Sequence, residues 1–185
     1  VCHTLRPVIN QIAAMVSEKR GLMNSYESAR NVSIELIKKG QKMATVESCT
    51  GGEIAYTATR LVGSSQWYDV GFVTYSNEAK INVLGVNPET LNQYTAVSKE
   101  TVIEMLSGVF ERSSADYVLA VTGVAGPSGG TLETPLGLVF VGIQERNNIP
   151  KIYRLRINLD RHSLQRFVSK FAYEGLLKIL VSRDP

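Results

Sequence analysis

Apolar positions along the chain alternate between two spacings, and the switches between them mark out the elements. From Asn24, with Glu27 three residues on, a capping box opens a segment in which Ala29, Val32, Leu36 and Ile37 recur at helical spacing, and Gly40 stands where a helix ends. Met43–Glu47 is a short apolar run that reads as a buried strand, and Thr50–Leu61 reads as a helix ended near Gly63. The aromatic and β-branched stretch Trp67–Ser76 reads as a strand. Asn77–Gly85 then reads as a short helix with Asn77 as its cap and Gly85 as its stop. Ser98 caps an amphipathic helix whose apolar face is Val102, Met105, Leu106, Val109 and Phe110.

"DYVLAVTG" is a nearly continuous apolar strand, as expected where both faces are covered. "LGLVFVGIQ" and "KIYRLRIN", separated by the polar "ERNNIP", predict an antiparallel hairpin on one edge. Phe167, Phe171, Leu176, Leu177 and Ile179 give the core face of a last helix over Arg161–Ser182. The pattern predicts a three-layer α/β/α domain over residues 25–185, with a mixed, mainly parallel sheet and an antiparallel edge hairpin. Residues 1–24 read as an N-terminal arm, helical or disordered.

Composition narrows the class without choosing a function. Of 185 residues 44% are apolar and 20% charged, as in ordinary globular domains. No apolar run is long enough for a membrane span and no secretory leader is visible, which predicts a cytoplasmic protein with no membrane partner. Cys2 and Cys49 fit neither a disulfide framework nor a metal site, and no metal is expected. The net charge of +3 suits a phosphorylated small molecule. No basic stripe interleaved with aromatics argues for nucleic acid.

Sheets of this kind collect ligands at the carboxyl ends of their strands. Four polar or glycine-rich clusters fall there: "ESCTGG", "TYSNEAK", "VTGVAGPSGGT" and "NLDR". In the first, Ser48 is either a nucleophile or, with Thr50, a helix cap, and spacing alone favours the cap about two to one. Cys49 is assigned to packing, since its only histidine partners are His3 and His162 and its neighbour Ser48 faces the other way. The same scarcity of histidine turns attention from a Ser-His-Asp triad to a lysine base, Lys80, although an exposed helix lysine is the default for any single lysine. The Tyr75–Lys80 spacing is one residue too long for a short-chain dehydrogenase, and the glycine loop after Val121 lacks the Gly-Lys-Ser/Thr of a Walker motif. That loop reads as a ligand loop or a plain connection. Asp160 and Arg161 read as a cap and a surface arginine, or as a phosphate clamp.

Taken together and in order, "ATVESCTGG", "GFVTYSNEAK", "AVSKETV", "VTGVAGPSGGT" with "PLG", and "DR" before the last helix resemble the C-terminal domain family of the competence/damage-inducible protein CinA, in its stand-alone form. Enzymatic members of that family are nicotinamide-nucleotide amidohydrolases. The resemblance implies hydrolysis of nicotinamide mononucleotide to nicotinate mononucleotide and ammonia, with no cofactor. It implies Ser48 as nucleophile, Lys80 as base and Tyr75 close by, with Thr50, Gly51 and Gly52 at the helix start meeting the oxyanion. Glu47, Asn77, Thr122, Gly123, Gly126, Gly129, Gly130 and Arg161 form the expected substrate-binding set. A homo-oligomer is compatible with this reading. The alternative is a non-catalytic nucleotide-binding paralogue, which the presence of Ser48, Tyr75 and Lys80 together speaks against. Leu159, Ser128, Leu132 and Leu138 depart from the residues common in the family, and Leu159 is expected to crowd the phosphate end.

Overall fold

The structure, a computed structural model, describes residues 24–182, so the arm's residues 1–23 lie outside it. Helix α1 spans Ser25–Lys39 and opens on the expected reciprocal cap: the Glu27 N–H donates to Asn24 Oδ1 at 3.0 Å and the Asn24 N–H to Glu27 Oε2 at 3.1 Å. It stops at Gly40, whose φ of 64° needs a residue without Cβ strain. Then follow β1 (Met43–Glu47), α2 (Glu53–Thr59), β2 (Tyr68–Val73), α3 (Asn77–Leu84), α4 (Pro88–Tyr94) and α5 (Lys99–Arg112). Strands β3 (Tyr117–Gly123), β4 (Leu138–Glu145) and β5 (Lys151–Arg156) precede the last helix, α6 (Arg161–Val181).

The sheet order is β2-β1-β3-β4-β5. Strand β1 pairs parallel with both β2 and β3, while β4 runs against β3 and β5. Four strands therefore share a direction and only β4 opposes them, with the β4–β5 hairpin on one edge as the pattern predicted. Side-chain alternation sorts the central strands between two apolar layers. Met43, Leu119 and Val121 pack with α1, α2 and α6, whereas Ala44, Val46, Val118 and Ala120 pack with α3, α4 and α5.

Three details differ from the sequence pattern. Helix α2 is shorter than expected at both ends, because residues 48–52 are spent on a tight turn with φ of +63° at Gly51 and +99° at Gly52. The cap of α3 is Ser76, not Asn77: Ser76 Oγ accepts the Ala79 N–H at 3.0 Å, and Asn77 is the first helical residue. Helix α4 went unforeseen, although Asn87 as cap followed by Pro88 in the first turn is a recognisable start.

Helix α3, which carries Lys80, is seated by a close approach. A Cβ built on Gly108 of α5 would collide with the Leu84 carbonyl oxygen and lie 2.8 Å from Leu84 Cβ. Substituting Gly108→Ala gains about 1 kcal/mol of helix propensity but overpacks against a backbone carbonyl, a cost at the upper end of about 1–3 kcal/mol. The variant should lose roughly 1–2 kcal/mol net in urea unfolding. A variant more stable than the parent would show that α3 moves freely against α5.

Candidate active site

The turn that carries Ser48 is built by alternation. Along β1 Met43, Thr45 and Glu47 face the α1–α2–α6 layer, while Ala44 and Val46 face α3–α5, so the next residue, Ser48, continues toward α3 and Cys49 turns back into the opposite core. Ser48 is buried, and its N–H donates to Val121 O of β3 at 3.0 Å. Beyond it the chain reverses: the Gly51 N–H donates to Ser48 O at 3.0 Å.

Glu47 enforces the reversal. Its Oε2 accepts the N–H groups of Gly52 and Ile54, each at 3.1 Å, and its Oε1 accepts that of Ala55 at 2.8 Å. The carboxylate is wholly buried and ties the end of β1 to the start of α2. Burial pushes its pKa up, and the three N–H donors pull against that. Glu47 was expected to bind substrate; with both oxygens taken by backbone it is instead the brace of the turn. For the same reason the expected oxyanion donors at Gly51 and Gly52 are already committed, to Ser48 O and Glu47 respectively. Neither Ser48 nor Thr50 caps α2, whose N-cap is Gly52 with no side-chain cap bond.

Lys80 meets Ser48 from the other side. Its side chain crosses the α3 layer with only 1% of its surface exposed. Nζ donates to Thr74 O at 2.8 Å and to Tyr75 O at 3.4 Å, and lies 3.2 Å from Ser48 Oγ. Two backbone carbonyls thus aim the amine at one hydroxyl. Burial lowers the lysine pKa from 10.5 to about 8, so a usable share of the amine is neutral near physiological pH. The surface-lysine reading fails. Burial also pushes the Cys49 thiol up to about 12, and the residue packs in the core, so it is neither a thiolate nor exposed.

A cleft of about 270 Å³ opens over this pair, lined by Tyr75, Ala96, Val97, Thr122, Gly123, Gly126, Ser128, Gly129 and Arg161 among others. Thr122 Oγ1 donates to Ala96 O at 2.7 Å and so fastens the loop after α4 to the cleft wall. A Cβ on Gly123 would sit 2.8 Å from Leu138 O and 3.0 Å from Cys49 Sγ, so only glycine fits. Arg161 donates from one nitrogen to Gly126 O and from another to the Tyr75 hydroxyl, both at 2.9 Å. The Tyr75 hydroxyl is therefore held by Arg161 across the cleft mouth, not by Ser48 or Lys80.

Asn77 is exposed on α3 and is not part of the lining, and Gly130 lies outside it too, packed so that a Cβ would come 2.8 Å from Leu136 N. A second cavity of about 670 Å³, lined by Pro127, Leu136, Asn158, Leu159, His162 and Gln165 among others, shares Ala125, Gly126 and Arg161 with the cleft. The pattern missed Ala96, Val97 and Gln165; the first two stand just before the Ser98 cap, where chain reversal was at least foreseeable. Among the described residues no helix is long and apolar enough to cross a membrane.

A three-layer α/β domain with a buried Ser–Lys pair at its strand ends is the class these features define. The CinA C-terminal domain model matches residues 25–180, and the chain belongs to that family. It is 39% identical to the nicotinamide-nucleotide amidohydrolase PncC of Escherichia coli K12, over 80% of this chain and 90% of that protein. It is also 39% identical to a CinA-like protein of Kosmotoga olearia, over 84% of this chain but 38% of that one, and spans less than half the length of the other long relatives it matches. Among solved structures, the competence damage-inducible protein A of Klebsiella pneumoniae superposes with a TM-score of 0.84 at 36% identity, covering 88% of this chain and all of that one. The competence/damage inducible protein of Agrobacterium tumefaciens gives 0.81 at 40% identity, over 85% and 95%.

Two outcomes follow from the buried ionisable groups. In Glu47→Gln an amide nitrogen must face at least one of the three N–H donors, so stability at pH 7 should fall by about 1–3 kcal/mol; an unchanged urea midpoint would deny the brace. For Lys80 the sign is that of a depressed amine: between pH 8 and 10.5 the unfolded chain holds a proton that the folded one has lost, so stability contributed at this site rises with pH through that window. Relative to Lys80→Met, the parent should gain roughly 2 kcal/mol between pH 7 and pH 10. Parallel stability curves for the two proteins would mean that Lys80 titrates like an exposed lysine.

Proposed function

We propose that this chain hydrolyses the carboxamide of nicotinamide mononucleotide to give nicotinate mononucleotide and ammonia, acting in the cytoplasm within pyridine-nucleotide salvage. The observation that carries the reading is the buried Lys80 amine 3.2 Å from Ser48 Oγ. The relatives named nicotinamide-nucleotide amidohydrolase support the choice of amide.

In the proposed sequence neutral Lys80 takes the proton of Ser48 Oγ as the oxygen attacks the carboxamide carbon. The Thr50 N–H receives the oxyanion. Collapse of the tetrahedral adduct breaks the C–N bond, and the lysine proton goes to the leaving nitrogen, which departs as ammonia. Water, deprotonated in turn by Lys80, attacks the ester and frees the acid and Ser48. Direct contact makes a relay through Tyr75 unnecessary. Arg161 keeps further N–H groups beyond those given to Gly126 and Tyr75, and these would meet the phosphate. The positive pyridinium ring beside Lys80 favours the neutral amine still more.

The test is incubation with nicotinamide mononucleotide, following ammonia and nicotinate mononucleotide. Ser48→Ala should lose activity by about 10³-fold or more, while Cys49→Ala stays within about tenfold of the parent. The value of kcat/KM should rise with pH through a midpoint near 8, set by Lys80 in the free protein, and kcat should rise through a lower one because the bound cation favours deprotonation. Turnover that survives in Ser48→Ala but not in Cys49→Ala would overturn the assignment. A parent protein that binds the nucleotide without turnover would favour the non-catalytic paralogue.

A further inference from the structure

The turn after Ser48 leaves two backbone donors open. Gly51 and Gly52 spend their N–H groups within the protein, but those of Cys49 and Thr50 reach no acceptor among the described residues, although both residues are at least 97% buried. Buried N–H groups without partners are rare and costly. Something holds this turn in a shape that keeps them so.

The Cys49–Thr50 peptide is gripped from the other layer. Gln165, in the second turn of α6, donates from Nε2 to Cys49 O at 2.9 Å, and the same nitrogen would lie 3.6 Å from a Cβ on Gly51. Helix α6 belongs with the Cys49 core, through Leu164 and Val168, whereas Lys80 comes from the α3 layer on the opposite face of the sheet. The Cys49–Thr50 bond is trans, so its C=O and N–H point in opposite directions. With the oxygen pulled toward α6, the Thr50 N–H is aimed away from α6 and toward the side where Ser48 Oγ meets Lys80.

We infer that Gln165 is a positioning residue for the nucleophile turn: by holding the Cys49 carbonyl it aims the Thr50 N–H at the oxygen that turns negative when Ser48 attacks. This rests on Ser48 being the nucleophile, as in the proposed function, but not on which amide is the substrate. Gln165 also lines the 670 Å³ cavity beside Arg161, so the same amide joins that cavity to the nucleophile turn.

A reaction that needs no natural substrate separates the two questions. Diisopropyl fluorophosphate phosphorylates an activated serine: the Oγ–P bond forms, the P–F bond breaks with its electron pair leaving on fluoride, the serine proton goes to Lys80, and the P=O oxygen occupies the oxyanion position. Labelling of Ser48 is followed by intact mass and peptide mapping in the parent, Gln165→Leu and Gln165→Met, alongside thermal unfolding and the pH dependence of the labelling rate. Both variants should label about 10–100-fold more slowly, since one oxyanion donor is worth 10²–10³ in subtilisin-type sites and here the donor is displaced, not removed. The midpoint near pH 8, set by Lys80, should stay in place. With nicotinamide mononucleotide the loss should fall on kcat and spare KM.

Labelling at the parent's rate in a folded variant overturns the inference. So does a loss that is matched by a lower unfolding temperature and a moved pH midpoint, which is what a merely structural glutamine would give. If the parent labels at Ser48 yet does not deamidate the nucleotide, the substrate reading falls while the variants still decide the role of Gln165. If the parent does not label at Ser48, both fall. Should Gln165→Leu fail to fold, Gln165→Met keeps the side-chain length and removes the donor without adding a charge.

Discussion

The arrangement turns on an amine kept out of water. An ammonium in an apolar layer loses hydration that a few dipoles only partly replace, so the neutral form gains ground and the pKa falls. The side chain of Lys80 is long enough to have reached solvent from α3, yet it runs inward and ends on the carbonyls of Thr74 and Tyr75. Those carbonyls belong to the stretch where β2 hands over to α3, so the strand end, the helix start and the amine are fixed as one piece. The Gly108 contact that seats α3 against α5 therefore helps place Lys80, although it touches neither Lys80 nor Ser48.

Glu47 is the counterpart on the other face of the sheet. One residue before Ser48, it spends a buried carboxylate on three backbone donors and makes the turn that leaves Ser48 at the strand end. A neutral cap would satisfy fewer donors, and a longer turn would carry Ser48 away from Lys80. Two ionisable groups on opposite faces of the sheet thus have separate tasks: one shapes the backbone, the other sets a protonation state. Cys49, between them, is kept a protonated thiol by burial, the same cause that lowers the Lys80 pKa and favours its neutral amine.

Periodicity made the layers legible, because strands covered on both faces read as apolar runs and the long helices carry their stripes and caps in local sequence. The mainly parallel sheet and its edge hairpin followed from that pattern, while the order of the strands within the sheet did not. What periodicity handled poorly was any residue whose partner is distant or is backbone. Glu47 looks like a cleft carboxylate until the turn of α2 is seen closing on it. Asn77 and Ser76 are both good caps, and only the chain path chooses between them. Gln165 acts across 116 residues of sequence through one carbonyl, and no spacing rule reaches that far. Ser48 itself was ambiguous by spacing; the composite motifs raised it, and the inward path of Lys80 gives that choice a physical reason.

The departures from the family pattern divide by the same geometry. Leu138 is buried at the start of β4 and lines neither cavity. Leu132 is fully exposed in the glycine loop and meets neither cavity wall. Leu159 is different: 47% exposed, it lines the larger cavity two residues before Arg161 and is absent from the lining around Ser48. Its bulk bears on whatever part of a ligand extends past Arg161, and leaves the lining around Ser48 as it was. Differences at this position should therefore be felt in how a ligand is gripped at its far end, while the Ser48–Lys80 geometry, fixed by backbone carbonyls and a buried carboxylate, is insulated from them.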